Sequence, residues 1–215
     1  MKSEDIIKSL IDDSQWIGGW YQDIILPDGS RTISTTLDFD KHESRSLKKW
    51  DIIERFMSSG RFLDIGCNAG AYLVKASKRY SELYGIDNST YFLTQCRFIL
   101  DQFKVNANLF CCPAMDFDFS QIPYMDTTVM IHSLYWLYYS DEKGYFDRAE
   151  ARLHEFLDRL KKKTSDLIII GSEGVDRIGG NLKKTDDFIS DHFKVIESGF
   201  ESFNDRKLNF IYARS

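Results

Sequence analysis

The run Arg61-Phe62-Leu63-Asp64-Ile65-Gly66-Cys67-Asn68-Ala69-Gly70 confines the chain to a small set of folds. A short apolar strand ends in an acid, passes through a glycine-bounded turn and enters a helical stretch from Tyr72 to Arg79. Such a turn lets a ligand press against bare backbone at the carboxyl end of a strand, which is where open α/β sheets bind nucleotides. A second strand, Leu83-Tyr84-Gly85-Ile86-Asp87, ends in another acid. An acid at that place in a nucleotide-binding unit accepts hydrogen bonds from ribose hydroxyls. The dinucleotide fingerprint G-x-G-x-x-G is absent, because Gly66 and Gly70 stand four apart with no third partner, and this disfavours an NAD enzyme.

Downstream of the turn, strand-like runs alternate with helical periodicity. The predicted strands are Arg61–Ile65, Leu83–Asp87, Asn108–Cys112, Thr127–Ser133, Leu167–Glu173, Phe193–Ser198 and Lys207–Ala213. Phe92, Cys96, Ile99 and Phe103 recur at helical spacing, as do Phe146, Ala149, Leu153, Phe156 and Leu160. Alternation of this kind predicts a mostly parallel sheet covered on both faces. The last two strands are joined only by the short loop around Asn204-Asp205, which predicts an antiparallel hairpin.

The first sixty residues precede this core. Ile6, Ile7, Leu10 and Ile11 suggest one short helix, and Leu47, Trp50, Ile53 and Met57 another. Between them Pro27-Asp28-Gly29 signals a turn, and Trp16, Trp20 and Tyr21 supply aromatic anchors. The expected division is therefore a cap or lid over residues 1–60 and a binding core over 61–215. Such a leader either caps the sheet edge or roofs the pocket, and the aromatic anchors favour the roof.

Composition narrows the class. A chain of 215 residues with 43% hydrophobic and 14% aromatic content folds as one ordinary domain with a full core. It holds no run of eighteen apolar residues, and Met1-Lys2-Ser3-Glu4-Asp5 lacks a signal-peptide layout, so the expected address is the cytoplasm. Its 28 basic and 33 acidic residues leave a net charge of −5, so attraction to phosphate backbones is not built in globally. Lys161-Lys162-Lys163 reads as a helix C-terminus, where cations favour the dipole. Cys67, Cys96, Cys111 and Cys112 show neither C-x-x-C pairing nor zinc spacing, and no metal is expected. Cys111 and Cys112 read as small apolar fillers of a buried strand.

The turn and the two strand-end acids resemble the class I S-adenosylmethionine-dependent methyltransferases, whose first motif reads acid-x-Gly-x-Gly-x-Gly. Asp64, Gly66 and Gly70 match, while Asn68 replaces the middle glycine. Asn tolerates unusual backbone angles better than most residues. The leader run Trp20 to Gly29, with Lys49-Trp50-Asp51, Phe92 to Cys96 and Ser133 to Trp136, is similar to the branch that contains the tRNA wobble-uridine carboxymethyltransferase and its small-molecule-like relatives. This resemblance implies a Rossmann-like, seven-stranded, mostly parallel sheet with an antiparallel last strand, helices on both faces and an N-terminal helical cap. It implies ordinary S-adenosylmethionine as cofactor, since no basic counterpart for a carboxylated form stands ahead of Trp20.

On that resemblance the cofactor residues are Asp64, Gly66, Cys67, Asn68, Gly70, Asp87, Asn88, Met115 and Asp116. Backbone around Gly66 to Gly70 is expected at the cofactor's amino-acid end. Asp64 either orients the turn or accepts from the ammonium group, directly or through water. Asp87 is expected on the ribose, and Asn88 beside the adenosine. The family sets adenine against the stretch after the third strand, often with an acid at its start. Pro113 stands there instead, leaving Met115 for the ring face and Asp116 for the amine.

Methyl transfer is an in-line displacement from an already activated leaving group, so alignment and exclusion of water do most of the work. His132 and Glu173, which end the fourth and fifth strands, are the candidates for moving an acceptor proton. Leu134, Tyr135, Trp136, Tyr138 and Tyr139 are candidates to line the acceptor side. The favoured function is methylation of a small-molecule acceptor, planar or sugar-like. The alternatives are a nucleic-acid methyltransferase, marked by a basic strip at the pocket mouth, and a catalytically silent partner subunit. Neither a membrane nor a nucleic acid is an expected partner.

Overall fold

The computed structural model describes residues 3–11, 19, 20, 22, 24–32, 39–134, 137, 146–172, 182–203 and 206–215. Seven strands form one sheet: β1 (Gly60–Ile65), β2 (Tyr80–Asp87), β3 (Asn108–Cys111), β4 (Met125–Ile131), β5 (Thr164–Ser172), β6 (Lys194–Phe203) and β7 (Arg206–Arg214). Their spatial order is β3-β2-β1-β4-β5-β7-β6. The pairs from β3 through β5 are parallel, and β7 runs antiparallel to both β5 and β6. This is the expected mostly parallel sheet with an antiparallel last strand. The last strand inserts between β5 and β6 instead of extending the edge.

Side-chain alternation divides the core in two. Leu63 and Ile65 of β1, Met130 of β4 and Ile169 of β5 face α5 (Phe146–Lys161) and α6 (Leu182–Ser190). Phe62 of β1, Val129 of β4 and Ile168 and Ile170 of β5 face the opposite way. There they meet α2 (Phe39–Phe56), α3 (Ala71–Ala76) and α4 (Thr90–Gln102). Successive residues of a strand point to opposite faces, so strands covered on both sides are predominantly apolar. The run Leu167-Ile168-Ile169-Ile170 meets that demand.

On the α5 face an aromatic column joins the β3–β4 connection to the helix. Phe110 and Phe117 lie 4.9 Å apart, Phe117 and Phe119 5.1 Å, and Phe119 and Phe156 5.8 Å. That connection holds two single 3₁₀ turns, Ala114–Asp116 and Phe119–Gln121, where simple strand–helix alternation would place a helix. On the α2 face Phe56 stacks on Tyr212 at 4.5 Å. β3 is an edge strand, and this corrects the reading of the vicinal cysteines: Cys111 is exposed and Cys112 half-buried. Among the described residues no strand pairs with the outer edge of β3.

The leader begins with α1 (Ser3–Ser9). In the Pro27–Gly29 turn, Asp28 takes hydrogen bonds from Ser3 and Ser30, which hold its carboxyl down at about 2. Trp20 is fully buried and donates its indole N–H to the Ile7 carbonyl at 3.1 Å. Gln95 of α4 reaches back to the Leu10 carbonyl at 3.1 Å, and the Tyr91 hydroxyl donates to Gly19 at 2.9 Å. Ile7, Trp20, Ile24 and Leu26 pack with Ala69, Ala71 and Ile99, so the described part of the leader lies on the glycine turn itself and on α4. Trp16 and Tyr21 lie outside the described residues.

Phe156 is fully buried at the foot of the aromatic column. Truncation there removes ring contacts that the neighbours recover only in part. Phe156→Ala is expected to cost about 3–5 kcal/mol. For a chain of this length that lowers Tm by roughly 10 °C in a calorimetric melt. A drop under about 2 °C would show that the column is loosely packed.

Candidate functional site

The strand order reverses between β1 and β4, and in open α/β sheets ligands bind beside the carboxyl ends of strands at such a switch point. The expected turn lies there. Gly66, Asn68 and Gly70 have φ of 80°, 49° and 82°, so the chain enters the left-handed region three times within five residues. Asn is among the few side-chain-bearing residues that visit this region routinely, which is why it serves in place of the middle glycine.

The two outer glycines answer to the protein's own packing as well as to φ. A Cβ on Gly66 would lie 2.3 Å from the Ser133 hydroxyl, and one on Gly70 would lie 2.6 Å from the Cys96 sulfur. Ser133 in turn donates to the Ile65 carbonyl at 2.6 Å and locks the end of β4 onto the end of β1. Sequence reading placed Ser133 at a strand end and gave it no role. Its only signal is its position opposite a glycine, which becomes visible once β1 and β4 are known to be neighbours.

The backbone amides of the turn are engaged within the protein. Gly66 and Cys67 both donate to the Ile86 carbonyl, at 2.8 and 3.1 Å. Asn68 donates to the Asp87 carboxylate at 2.9 Å, and Ala69 to the Asn68 side chain at 2.7 Å. Gly70 donates to the Cys67 carbonyl at 2.9 Å, and Ala71 to the Gln22 side chain at 3.0 Å. The Cys67 thiol is fully buried, and its contact with the Cys96 thiol, together with burial, pushes its pKa up, so only the Cys67 backbone is placed to meet a ligand.

Asp87 is buried and uses both carboxylate oxygens. One accepts from Asn68, the other from the Ser89 amide at 2.9 Å. Burial raises its pKa, against the lowering effect of these amides. Ser89 caps α4 by accepting from Phe92. Asn88, between them, is exposed at the rim.

Asp64 is the most unusual group. It alternates with Leu63 and Ile65 along β1, so its carboxyl turns toward the α3 side of the sheet. It is 1% exposed, and neither carboxylate oxygen has a hydrogen-bond partner. Burial first, and the negative charge of Asp87 second, push its pKa up to about 8. A carboxyl held dry and unpaired keeps its proton or takes a cationic donor.

The other expected residues are more dispersed. Met115 is buried in the α5-side core, and its carbonyl accepts from Arg159. Asp116 pairs with Arg152 at 2.8 Å on the surface, beside a shallow hollow of about 350 Å³ that also touches Phe110, Cys111 and Cys112. His132 directly follows β4 with φ of 55°, and its amide donates to the Ile170 carbonyl at 2.8 Å, which seats it at the top of the sheet between β4 and β5. Glu173, Tyr135, Trp136, Tyr138 and Tyr139 lie outside the described residues. The structure thus brings Asp64, Gly66, Cys67, Asn68, Gly70 and Asp87 into one unit, and sets Met115 and Asp116 along its β3 flank.

A family profile described as a methyltransferase domain matches residues 62–156, from the first strand through the aromatic column. This segment of the chain is similar to a methyltransferase domain. Solved structures agree in fold. The N-terminal domain of EvdMO1, with SAH bound, superposes with a TM-score of 0.67 over 100% of this chain and 98% of its own, at 11% identity. The N-methyltransferase NodS from Bradyrhizobium japonicum WM9 gives 0.62 over 83% and 98%, at 15% identity. Magnesium protoporphyrin IX methyltransferase (ChlM) from Synechocystis PCC 6803, with bound SAM, gives 0.59 over 82% and 80%, at 12% identity. No curated protein sequence matches the chain. Among the described residues no helix is long and apolar enough to cross a membrane.

The Asp64 environment carries a sign that can be checked. Its folded pKa lies above the unfolded value of 3.8, so between pH 3.8 and about 8 the folded protein retains a proton that the unfolded chain releases. Stability from this group is full below that window and declines as pH rises through it, by up to about 1.4 kcal/mol per pH unit. In ligand-free protein, Asp64→Asn is expected to flatten the fall in Tm between pH 5 and pH 8. Parallel wild-type and variant curves would refute a dry, unpaired Asp64.

Proposed function

We propose that this protein holds S-adenosylmethionine across the ends of β1 and β2 and delivers its methyl group to a small-molecule acceptor. The observation that carries the reading is Asp64, a buried carboxyl with two unpartnered oxygens beneath a glycine-bounded turn. Such a group suits the cofactor's ammonium, met directly or through one water. The residues fit the rest of the molecule as well. A carboxylate offers about four lone-pair sites, and the amides around Asp87 do not use them all, so it can still accept from a ribose hydroxyl. The backbone of Gly66, Cys67, Asn68 and Gly70 adjoins the amino-acid end, Asn88 the adenosine rim, and Met115 and Asp116 the adenine side.

When bound, the cofactor supplies a methyl carbon on a positively charged sulfur. The protein's part is to align the acceptor and keep water out. His132, turned by its positive φ at the switch point, is the residue proposed to take the acceptor's proton, with Glu173 as the second candidate. The leader, residues 1–60, acts as the cap over the core of 61–215. Its packing on Ala69 and Ala71 supports that role.

The small acceptor is favoured over nucleic acid by the net charge of −5. A sugar-like acceptor is favoured because the EvdMO1 N-terminal domain, whose structure was solved in the presence of SAH and D-fucose, matches along 100% of this chain, leader included. The leader run Trp20–Gly29 sets the chain beside the branch of the wobble-uridine carboxymethyltransferase and its small-molecule-like relatives. A cytoplasmic address fits this chemistry.

Calorimetric titration tests the cofactor site. S-adenosylhomocysteine is expected to bind wild-type protein and to raise its Tm, and Asp87→Ala is expected to weaken binding at least tenfold, about 1.4 kcal/mol. Equal affinity in the two proteins would overturn the assignment of the ribose to Asp87.

A further inference from the structure

Sequence reading gave Gln22 no role, yet its side chain is the partner of the last amide of the turn. From Gly66 to Ala71 every amide has an acceptor. Those of Gly66 through Gly70 lie in the β1–β2 unit itself, in Ile86, Asp87, Asn68 and Cys67. Ala71 alone is served from outside, by a side chain 49 residues away. A turn with three left-handed residues has few conformational neighbours it can relax into without losing these bonds, so the acceptor on its last amide bears on the whole turn.

Gln22 is itself held in place. Its backbone carbonyl accepts from the Thr32 hydroxyl at 2.9 Å, and the same hydroxyl accepts from the Ile24 amide at 2.7 Å. Thr32 is fully buried, and its own amide returns to the Ile24 carbonyl at 3.0 Å. The hairpin of Leu26 on Ser30, at 2.8 Å, closes the loop that carries Thr32. The apolar side chains of the same segment, Ile24 and Leu26, pack with Ala69 and Ala71. Polar and apolar contacts of the leader thus converge on the same end of the turn.

We propose that Gln22 is a positioning residue of the cofactor site: with its backbone anchored by Thr32, its side-chain carbonyl holds the Ala71 amide and with it the Asn68–Ala71 backbone in the shape that receives the cofactor. The proposal rests on the cofactor reading above and adds that the leader takes part in forming the turn. By linkage, a cofactor that needs the ordered turn also favours the docked leader.

Full-length wild type, Gln22→Ala, Gln22→Glu and Tyr91→Phe are compared by calorimetric titration with S-adenosylhomocysteine, and by amide exchange over residues 67–73 in the absence of ligand. Loss of one hydrogen bond to the turn is expected to weaken binding by about 3- to 10-fold in Gln22→Ala. It should also speed exchange of residues 67–73. Gln22→Glu keeps the acceptor and is expected to stay within about twofold of wild type. Tyr91→Phe removes a leader contact away from the turn, and wild-type affinity is expected. Wild-type affinity in Gln22→Ala, or a Glu variant as weak as the Ala variant, would overturn the proposal. A wild type that binds no S-adenosylhomocysteine would refute the cofactor reading instead. Exchange in Gln22→Ala would then still decide whether the leader orders the turn, and unchanged exchange would overturn that too.

Discussion

One carboxylate ties the site together. Asp87 places one oxygen on the Asn68 amide of the turn after β1 and the other on the Ser89 amide at the head of α4. Hydrogen bonds to a charged group are worth about 1.5–3 kcal/mol each. These two join the ends of adjacent strands into one rigid lip. Burial opposes them by raising the Asp87 pKa. The acid is thus held in a setting that disfavours its charge while its amide partners favour it. A ligand that adds further donors reinforces the second tendency. Gly66 and Cys67, both donating to the Ile86 carbonyl one residue before Asp87, seat the turn against the same lip.

Asp64 and Asp87 divide the electrostatics of the site. Asp87 is solvated by backbone, whereas Asp64 has no hydrogen-bond partner among the described residues and is pushed toward its neutral form. Two nearby acids with such different surroundings suit a ligand that is cationic at one end and a hydroxyl-rich neutral at the other. The amides of the turn are already donated within the protein, so carboxylates rather than free N–H groups are the main polar offering here.

Agreement in fold with structures at 11–15% identity has a plain physical basis. The sheet demands apolar residues on both faces of β1, β4 and β5, and many side-chain combinations satisfy that demand at similar volume. What cannot drift freely is the backbone at the switch point. There Gly66 faces Ser133 and Gly70 faces Cys96, with no room for a Cβ.

Much of the architecture was legible because it rests on local patterns. The apolar strand Arg61–Ile65 with its acid, the apolar run Leu167–Ile170, the helical spacing of Phe92, Cys96, Ile99 and Phe103, and the Pro27–Gly29 turn are all read within a few residues. The two strand-end acids and the left-handed Asn68 follow from the same short stretches. Strand order was not legible, and Cys111 shows the consequence: its exposure follows from β3 being the edge, which no residue of β3 announces. Nor were the contacts of Ser133 with Ile65, 68 residues apart, or of Gln22 with Ala71, 49 apart. Periodicity, turn chemistry and the identity of the acids belong to the chain itself, because they depend on bond geometry and side-chain polarity over a few residues. Which acid lies dry, which amide is held from the leader and which strand forms the edge are decided by packing, because only packing brings distant residues into contact and removes water from between them.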